Sequence, residues 1–381
     1  MPSTPRILIL TQINDVHSAA VELALRSRAA SVSLALCGDF PTRLSGSIFI
    51  GQDRARAVLR EGDRDICDGD VDVVWYRRPT RPRLPDDMHP GDRQIAIDEC
   101  EAFERDLYSL LAPSAFWVNS PPAARLANMK IAQLKHASAV GFRVPETLAS
   151  NDPNDIRSFI ERHRSSPIHK TFLPNIWEAG DDVALAFTST VGLADLPRDE
   201  ILRLAPGIYQ ELIPKAYELR LTLFGATCIG AKLRSREHVD AAVDWRAAGI
   251  QVPVEPYDVP LQLQRQCFQL MARLGIVSGC ADLIMTPDGE TVFLEINQAG
   301  QWLWLEECCP ELPLLDAFVG FLHQGPAFEY KPGSERLRYK DFRAAALDLL
   351  ELQRRSHVQH STWHSAADSL PPECPAASRA R

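Results

Sequence analysis

The chain has 381 residues, 45% of them hydrophobic and 24% charged, which is the composition of a globular protein of two or three domains and excludes a short peptide scaffold. Forty-one basic residues against 50 acidic ones give a formal net charge of -9, which argues against a general binder of nucleic-acid backbones. Nine cysteines, an odd number with no C-x-x-C pair, read as reduced thiols of a cytoplasmic protein, not as a disulfide framework or a zinc site. No apolar run approaches the roughly 18 residues of a membrane span, and Ile7-Leu8-Ile9-Leu10 is too short for a signal-peptide core.

The first third alternates predicted strands at Ile7 to Thr11, Val32 to Cys37 and Val71 to Tyr76 with helices at Val16 to Arg28 and Arg93 to Leu111. That order implies a small α/β domain with a mostly parallel sheet. Asn119-Ser120-Pro121-Pro122 breaks the pattern. A helix is predicted from Lys130 to Val140, ending at Gly141, and Asn151-Asp152-Pro153 is a helix start with Pro in the first turn. From about residue 168 strands dominate: His169 to Phe172, Val183 to Thr188, Ile208 to Ile213, Ala216 to Phe224, Thr227 to Arg234, Ser278 to Met285 and Thr291 to Asn297. A helix from about Gln262 to Leu274 interrupts them, so this region reads as α+β. One more helix is expected at about Tyr339 to Arg355, and Ser361 to Arg381, rich in Ser, Pro and Ala, reads as disordered. The segment after about Gln324 is expected to be dispensable for activity.

Asp288-Gly289 signals a two-residue type I′ hairpin. Counting outward from Pro287 opposite Glu290 sets Asp282 opposite Glu295, and the two-residue side-chain period puts Asn297 on the same face. Opposed carboxylates repel unless a cation or a proton lies between them. Two carboxylates and a carboxamide suit Mg²⁺, which keeps waters and shares phosphate oxygens. The plain alternative is a solvent-facing strand pair whose acids never meet.

These residues resemble the carboxy-terminal half of the ATP-grasp ligase superfamily, whose members hold magnesium with an Asp on one strand and a Glu-x-Asn on the next. The resemblance assigns Asp282, Glu295 and Asn297 to Mg²⁺. Lys130, in Asn128-Met129-Lys130-Ile131, is similar to the lysine of the first central helix, although Met129 departs from the family's adjacent Asn-Lys. Lys170 resembles the strand lysine that touches the α- and β-phosphates. Gln210-Glu211-Leu212-Ile213 resembles the hinge that binds adenine through its backbone, Glu218 the acid that holds the ribose, and Arg220 the arginine beside the transferred phosphate. Glu218, Arg220 and Thr222 alternate with Leu219, Leu221 and Leu223, so the polar trio shares one strand face.

Three strings narrow the resemblance: Gln210 to Lys215, Asp244-Trp245-Arg246, and Phe293-Leu294-Glu295-Ile296-Asn297-Gln298-x-Gly300-Gln301-Trp302. With Trp75-Tyr76-Arg77-Arg78-Pro79, they look like the microviridin-type graspetide synthetases, over about residues 5 to 325. That resemblance implies an ATP-grasp fold: an N-terminal α/β pre-ATP-grasp domain (1–120), a central lobe (121–207), a C-terminal lobe with the metal site (208–325) and an extension (326–381), with ATP between the two α+β lobes. It further implies Arg220 and Arg246 as catalytic residues, ATP and Mg²⁺ as cofactors, and a precursor peptide with a leader as partner, with no nucleic acid and no membrane. The oligomeric state is open, a homodimer included. Two other readings remain: a ligase that adds an amino acid to a small metabolite or protein terminus, and a nucleotide-dependent peptide-binding module without turnover. Taken singly, Lys130 reads as a surface residue, Arg220 as half of a cross-strand ion pair and Arg246 as loop decoration stacked on Trp245. His357, His360 and His364 read as part of the tail, and Cys308-Cys309 as core packing.

Overall fold

A computed structural model describes residues 4–163, 167–173, 176–179, 182–185, 188–235 and 252–356. The chain opens with β1 (Arg6–Thr11), α1 (Val16–Ser27) and β2 (Ser31–Leu36). Asp15 caps α1 by accepting from the His17 amide, and Ala20, Val21, Ala24 and Leu25 are among its buried residues. There follow β3 (Leu44–Ile50), β4 (Ala55–Glu61), β5 (Arg64–Cys67), β6 (Val73–Tyr76), the long helix α2 (Pro90–Leu110) and β7 (Phe116–Val118). A parallel sheet runs in the order β2, β1, β6, β7. Side-chain alternation splits β1 between two cores: Ile7 and Ile9 pack with Trp75, while Leu8 and Leu10 pack with Leu107 and Tyr108 of α2. β3, β4 and β5 form a separate antiparallel sheet that the strand–helix alternation did not foretell. β3 is mostly exposed and carries Ser45, Gly46 and Ser47, so its apolar periodicity is too weak to signal a strand.

Past the breaker cluster come α3 (Pro121–Ala127), α4 (Lys130–Ala139), β8 (Thr147–Ser150) and α5 (Pro153–Arg162). Asp152 caps α5 by accepting from the Asn154 and Asp155 amides at 2.8 and 3.2 Å, with Pro153 in the first turn. Next are β9 (Ile168–Lys170), the antiparallel ribbon of β10 (Ile176–Ala179) and β11 (Asp182–Leu185), then β12 (Ser189–Thr190), α6 (Asp199–Leu204) and β13 (Gly207–Gln210). β12, β9, β13 and β8 make a four-stranded antiparallel sheet, and Ile156, Phe159, Leu202 and Tyr209 contribute to its small core.

The largest sheet is antiparallel and five-stranded. It is built from β14 (Tyr217–Phe224), β15 (Thr227–Leu233), β16 (Val254–Tyr257), β17 (Ser278–Met285) and β18 (Thr291–Asn297), in the order β16, β15, β14, β17, β18. Leu219, Leu221, Leu283 and Phe293 form one core with Leu270 and Met271 of α7 (Leu261–Leu274), and with Ala127 and Leu134 of α3 and α4. The opposite face carries the polar side chains Glu218, Arg220, Thr222, Asp282, Glu295 and Asn297, interspersed with the buried Phe224, Cys280, Ile284 and Val292.

α8 (Leu303–Cys308) and α9 (Leu314–Gln324) return the chain to the N-terminal sheet, where Phe318 and Phe321 share a core with Ile7, Ile9 and Trp75. α10 (Tyr339–Ser356) packs against α1 and buries Tyr339, Ala346 and Leu350 in that same core. The buried Glu306 carboxylate accepts from the Leu315 and Tyr339 amides, both at 2.8 Å, tying α8, α9 and α10 together. The segment after Gln324, expected to be dispensable, is not a separate tail in the fold: Phe328, Tyr339, Ala346 and Leu350 are buried in the core. His357, His360 and His364 lie outside the described residues. Among the described residues no cysteine forms a disulfide, and no helix is long and apolar enough to cross a membrane.

Candidate active site

β17 and β18 form the expected hairpin with a different turn. Gly289 has a left-handed φ of +88°, which Asp288 does not share. The Gly289 amide donates to the Thr286 carbonyl at 3.1 Å, and the Thr286 amide to the Glu290 carbonyl at 2.9 Å. These bonds close a three-residue loop, a type I turn followed by a left-handed glycine, in place of the type I′ turn. The first pairs are one residue out of the expected register, with Met285, Ile284 and Leu283 facing Thr291, Val292 and Phe293. A bulge at Leu294 makes up the difference, after which Asp282 faces Glu295 and Cys280 faces Asn297.

A cation already stands beside this acidic pair. Arg220 faces Asp282 across the β14–β17 ladder, and its Nη1 donates to both carboxylate oxygens at 2.8 and 3.0 Å. Its Nη2 donates to the Gln301 carbonyl at 3.0 Å, while the buried Nε has no hydrogen-bond partner. Burial disfavours the guanidinium charge, yet Asp282 foremost, with Glu295 also contributing, outweighs it and holds the Arg220 pKa above its ordinary value. The ion-pair reading of Arg220 is thus realised, on the same face as Glu295 and Asn297. Asn297 Oδ1 accepts from the Gly300 amide at 3.2 Å. Among the described residues no group of three His, Cys, Asp or Glu side chains is arranged to hold a metal. Two carboxylates and a carboxamide fit Mg²⁺ all the same, because that ion completes its shell with water and phosphate oxygens.

Glu218, one turn of the strand alternation from Arg220, is buried and doubly held: Lys215 Nζ donates to its Oε1 at 2.6 Å and Ser235 Oγ to the same oxygen at 2.7 Å. Lys170 and Gln210 meet across β9 and β13, with Nζ donating to Oε1 at 2.8 Å; Gln210 Nε2 passes the chain on to Thr147 Oγ1 at 2.9 Å. Lys130 Nζ donates to the Thr171 carbonyl at 3.2 Å, so both lysines sit at the end of β9. In the hinge, the Glu211 amide is committed to the Glu146 carbonyl at 2.9 Å, and Ile213 packs with Ile284 and Val292; Leu212 follows Glu211 in the same stretch outside regular secondary structure. The structure therefore collects Arg220, Asp282, Glu295 and Asn297 on one sheet face and Lys130, Lys170 and Gln210 around β9. Arg246 lies outside the described residues.

Sequence reasoning did not single out the buried polar groups that fix this arrangement. Gln133 of α4 brackets the Ile296 backbone, accepting from its amide at 2.8 Å and donating to its carbonyl at 3.0 Å. Asn119 accepts from the Val277 amide at 2.7 Å and donates to the Ser278 carbonyl at 2.9 Å. Lys215 and Ser235 secure Glu218 as above. Arg77 and Asp15 form an ion pair at 3.3 Å, with side chains 0% and 2% exposed. Beforehand, Arg77 and Lys215 stood only as members of the strings that carry the resemblance, and Gln133 lay between Ala132 and Leu134; the others gave no local signal.

Residues 6–125 match a family model described as the MvdD pre-ATP grasp domain. Among solved structures, the chain is similar to the macrocyclase MdnC of Microcystis aeruginosa MRC, solved bound with its precursor peptide MdnA. Identity there is 30% and the TM-score 0.72, over 83% of this chain and 98% of that one. Macrocyclase MdnB of the same organism is 28% identical with a TM-score of 0.70, over 84% of this chain and 100% of that one. A RiPP-associated ATP-grasp ligase of Chryseobacterium gregarium, solved with ADP and a leader and core peptide, shares the fold at 23% identity and a TM-score of 0.74, over 84% of this chain and 96% of that one. No protein of curated function matches by sequence.

Proposed function

The chain belongs to the graspetide-type ATP-grasp ligases, and from that membership we propose that it macrocyclises a ribosomally made precursor peptide carrying a leader. It is an ATP-dependent ligase that activates Asp or Glu side-chain carboxylates and joins them to Thr or Ser hydroxyls or Lys amines, as ω-esters or ω-amides. The observation that carries the reading is the polar face shared by Arg220, Asp282, Glu295 and Asn297, in a chain 30% identical to a macrocyclase over 98% of that enzyme's length.

A free carboxylate is a poor acyl donor because oxide would have to leave. Attack of a substrate carboxylate oxygen on the γ-phosphorus of ATP breaks the bond to ADP and forms an acyl phosphate. A hydroxyl or amine then adds to the acyl carbon, loses its proton and expels phosphate. Arg220 is the group on this sheet face suited to stabilise charge on the transferred phosphoryl, and Arg246 is proposed beside it from the Asp-Trp-Arg string. Asp282, Glu295 and Asn297 would hold Mg²⁺, which when bound offsets charge on the β- and γ-phosphates. Lys130 and Lys170 would reach phosphate oxygens, Gln210 would orient Lys170, and Glu211, Leu212 and Ile213 would meet adenine through their backbone. Glu218, fixed by Lys215 and Ser235, would accept from the ribose hydroxyls.

We read the chain as an N-terminal unit (1–120), a central lobe (121–207), a C-terminal lobe (208–325) and an extension (326–381); the separate sheets support that division except at β13 (Gly207–Gln210), which pairs with β8 and β9 in the central sheet. The lack of disulfides and of a membrane-crossing helix among the described residues supports a cytoplasmic enzyme. Incubation with ATP, Mg²⁺ and a peptide encoded beside this gene should release ADP only when the peptide is present, with one water lost from the peptide per bond formed. Bound peptide with no ADP release and no loss of water would reduce the chain to a binding module.

A further inference from the structure

The four residues Gly300 to Leu303, which follow the Glu295-Ile296-Asn297 strand, are held from two sides. Toward the sheet, the Gln301 carbonyl accepts from Arg220 Nη2 at 3.0 Å. Toward the N-terminal unit, Arg77 Nη1 donates to the Gly300 carbonyl, and the amides of Trp302 and Leu303 both donate to His17 Nε2, at 3.0 and 3.1 Å. Gly300 has φ +53° and a Cβ there would lie 3.1 Å from Cys280 Sγ, so the loop is confined as well as tethered. His17 stands in the first turn of α1, its ring edge-on to Trp302 with centroids 5.2 Å apart. Asp15, which caps that helix, pairs with Arg77 and accepts from Thr11 Oγ1 at 2.7 Å.

This buried polar set is poorly explained by packing. A fully buried guanidinium is costly to retain, and Arg77 Nη2 has no hydrogen-bond partner among the described residues. An imidazole that accepts two backbone N–H groups must present a lone pair, hence be neutral; burial, then the neighbouring Arg77, holds the His17 pKa well below its ordinary value. We propose that His17 and Arg77 are positioning residues of the transfer site. By fixing Gly300 to Leu303 they hold the Gln301 carbonyl that aims Arg220, and so couple the N-terminal unit to phosphoryl transfer. The inference rests on the reading of Arg220 as the arginine of the transferred phosphate.

Interactions that matter for the transferred group should strengthen binding of its mimic and leave ground-state nucleotide affinity alone. The probes are MgADP, and MgADP with aluminium fluoride. His17→Met keeps the volume and removes the acceptor; His17→Gln restores an acceptor. The Met variant should bind MgADP within about threefold of the parent, lose about tenfold or more of the tightening conferred by fluoride, and exchange the Trp302 and Leu303 amides about tenfold faster. The Gln variant should recover most of each loss. Should the Met variant fail to fold, Arg77→Lys, which keeps a charge against Asp15, is expected to show the same split between the two probes. Faster amide exchange with the fluoride effect intact overturns the proposal, as does an equal loss of affinity for both probes. Arg220→Gln separates the premise: fluoride tightening lost there but kept in the His17 and Arg77 variants overturns only this inference, and tightening kept in all of them overturns the site reading with it.

Discussion

Asp282 is asked to serve Arg220 and to stand opposite Glu295, and the balance between those demands sets what a substitution will do. Opposed carboxylates in a ladder cost roughly 0.2–1 kcal/mol, and the Arg220 charge beside Asp282 offsets much of that. Glu295→Gln should therefore leave the melting temperature of the nucleotide-free protein unchanged or slightly raised. The same change should lower peptide-dependent ADP release about tenfold or more, and shrink the rise in melting temperature produced by MgATP, because a ligand stabilises only in proportion to its binding. Equal ligand-induced shifts with normal ADP release would remove the hairpin as the metal site. A second residue reports on pH. Glu104 is buried on α2, accepts from the Tyr108 hydroxyl at 3.1 Å, and burial pushes its pKa up to about 7 from 4.5. Between those values the unfolded chain has released this proton and the folded chain keeps it, so stability falls as pH rises, by at most roughly 3–4 kcal/mol at about 1.4 kcal/mol per unit. Glu104→Gln should abolish that part of the decline, read as melting temperatures of both proteins between about pH 4.5 and 8. Parallel curves would mean that Glu104 is ionised in the fold throughout. At this scale the sequence revealed Arg220, Asp282, Glu295 and Asn297 because strand alternation sorts side chains by face. It concealed the contacts that His17, Arg77, Asn119 and Gln133 make with residues more than a hundred positions away, which follow no local period.

The hairpin of β17 and β18 shows how two local departures can leave a distant pairing intact. Asp-Gly favours a two-residue turn, but here Pro287 joins it in a three-residue loop that shifts the first pairs by one, and the bulge at Leu294 shifts them back before Asp282. Neither event is written in composition; a turn and a bulge each depend on the twist of the finished sheet. Gly289 carries the backbone requirement alone, since a Cβ there would have nothing within 4 Å. Gly289→Ala should thus cost roughly 1–2 kcal/mol through its left-handed φ, with no steric component, and leave turnover per folded molecule unchanged. Denaturant midpoints and peptide-dependent ADP release would check it; an unchanged midpoint would mean that the loop relaxes to another turn type. Helix starts were legible where a cap and a proline coincide, as at Asp152-Pro153, while β3 to β5 were not, because a half-exposed sheet needs few apolar residues.

Across the whole molecule, one core joins chain segments that are far apart in sequence. Ile7, Ile9 and Trp75 of the first sheet meet Phe318 and Phe321 of α9, and α10 closes the cluster with Tyr339, Ala346 and Leu350 against α1. The sequence suggested α10 as a helix, but could not show that its apolar face lands beside residues some 300 positions earlier. That placement reverses the expected tolerance of the chain to shortening. Ending it after Gln324 exposes the α1 face, leaves the buried Glu306 carboxylate without the Tyr339 amide, and removes the bond from Arg28 to the Glu335 carbonyl at 2.8 Å. Burial of Leu350 alone contributes roughly 1.5–3 kcal/mol, and a half-satisfied buried carboxylate adds a further penalty of about 1–3 kcal/mol. Since α1 carries Asp15 and His17, the damage should reach the loop that holds Arg220 as well as global stability. A chain ending at Ser356 keeps every described contact. It should match the full-length protein in melting temperature and in peptide-dependent ADP release, while a chain ending at Gln324 should melt several degrees lower or fail to accumulate in soluble form. Matching melts and matching turnover for the two truncations would show that the α1–α10 packing contributes nothing to the folded enzyme.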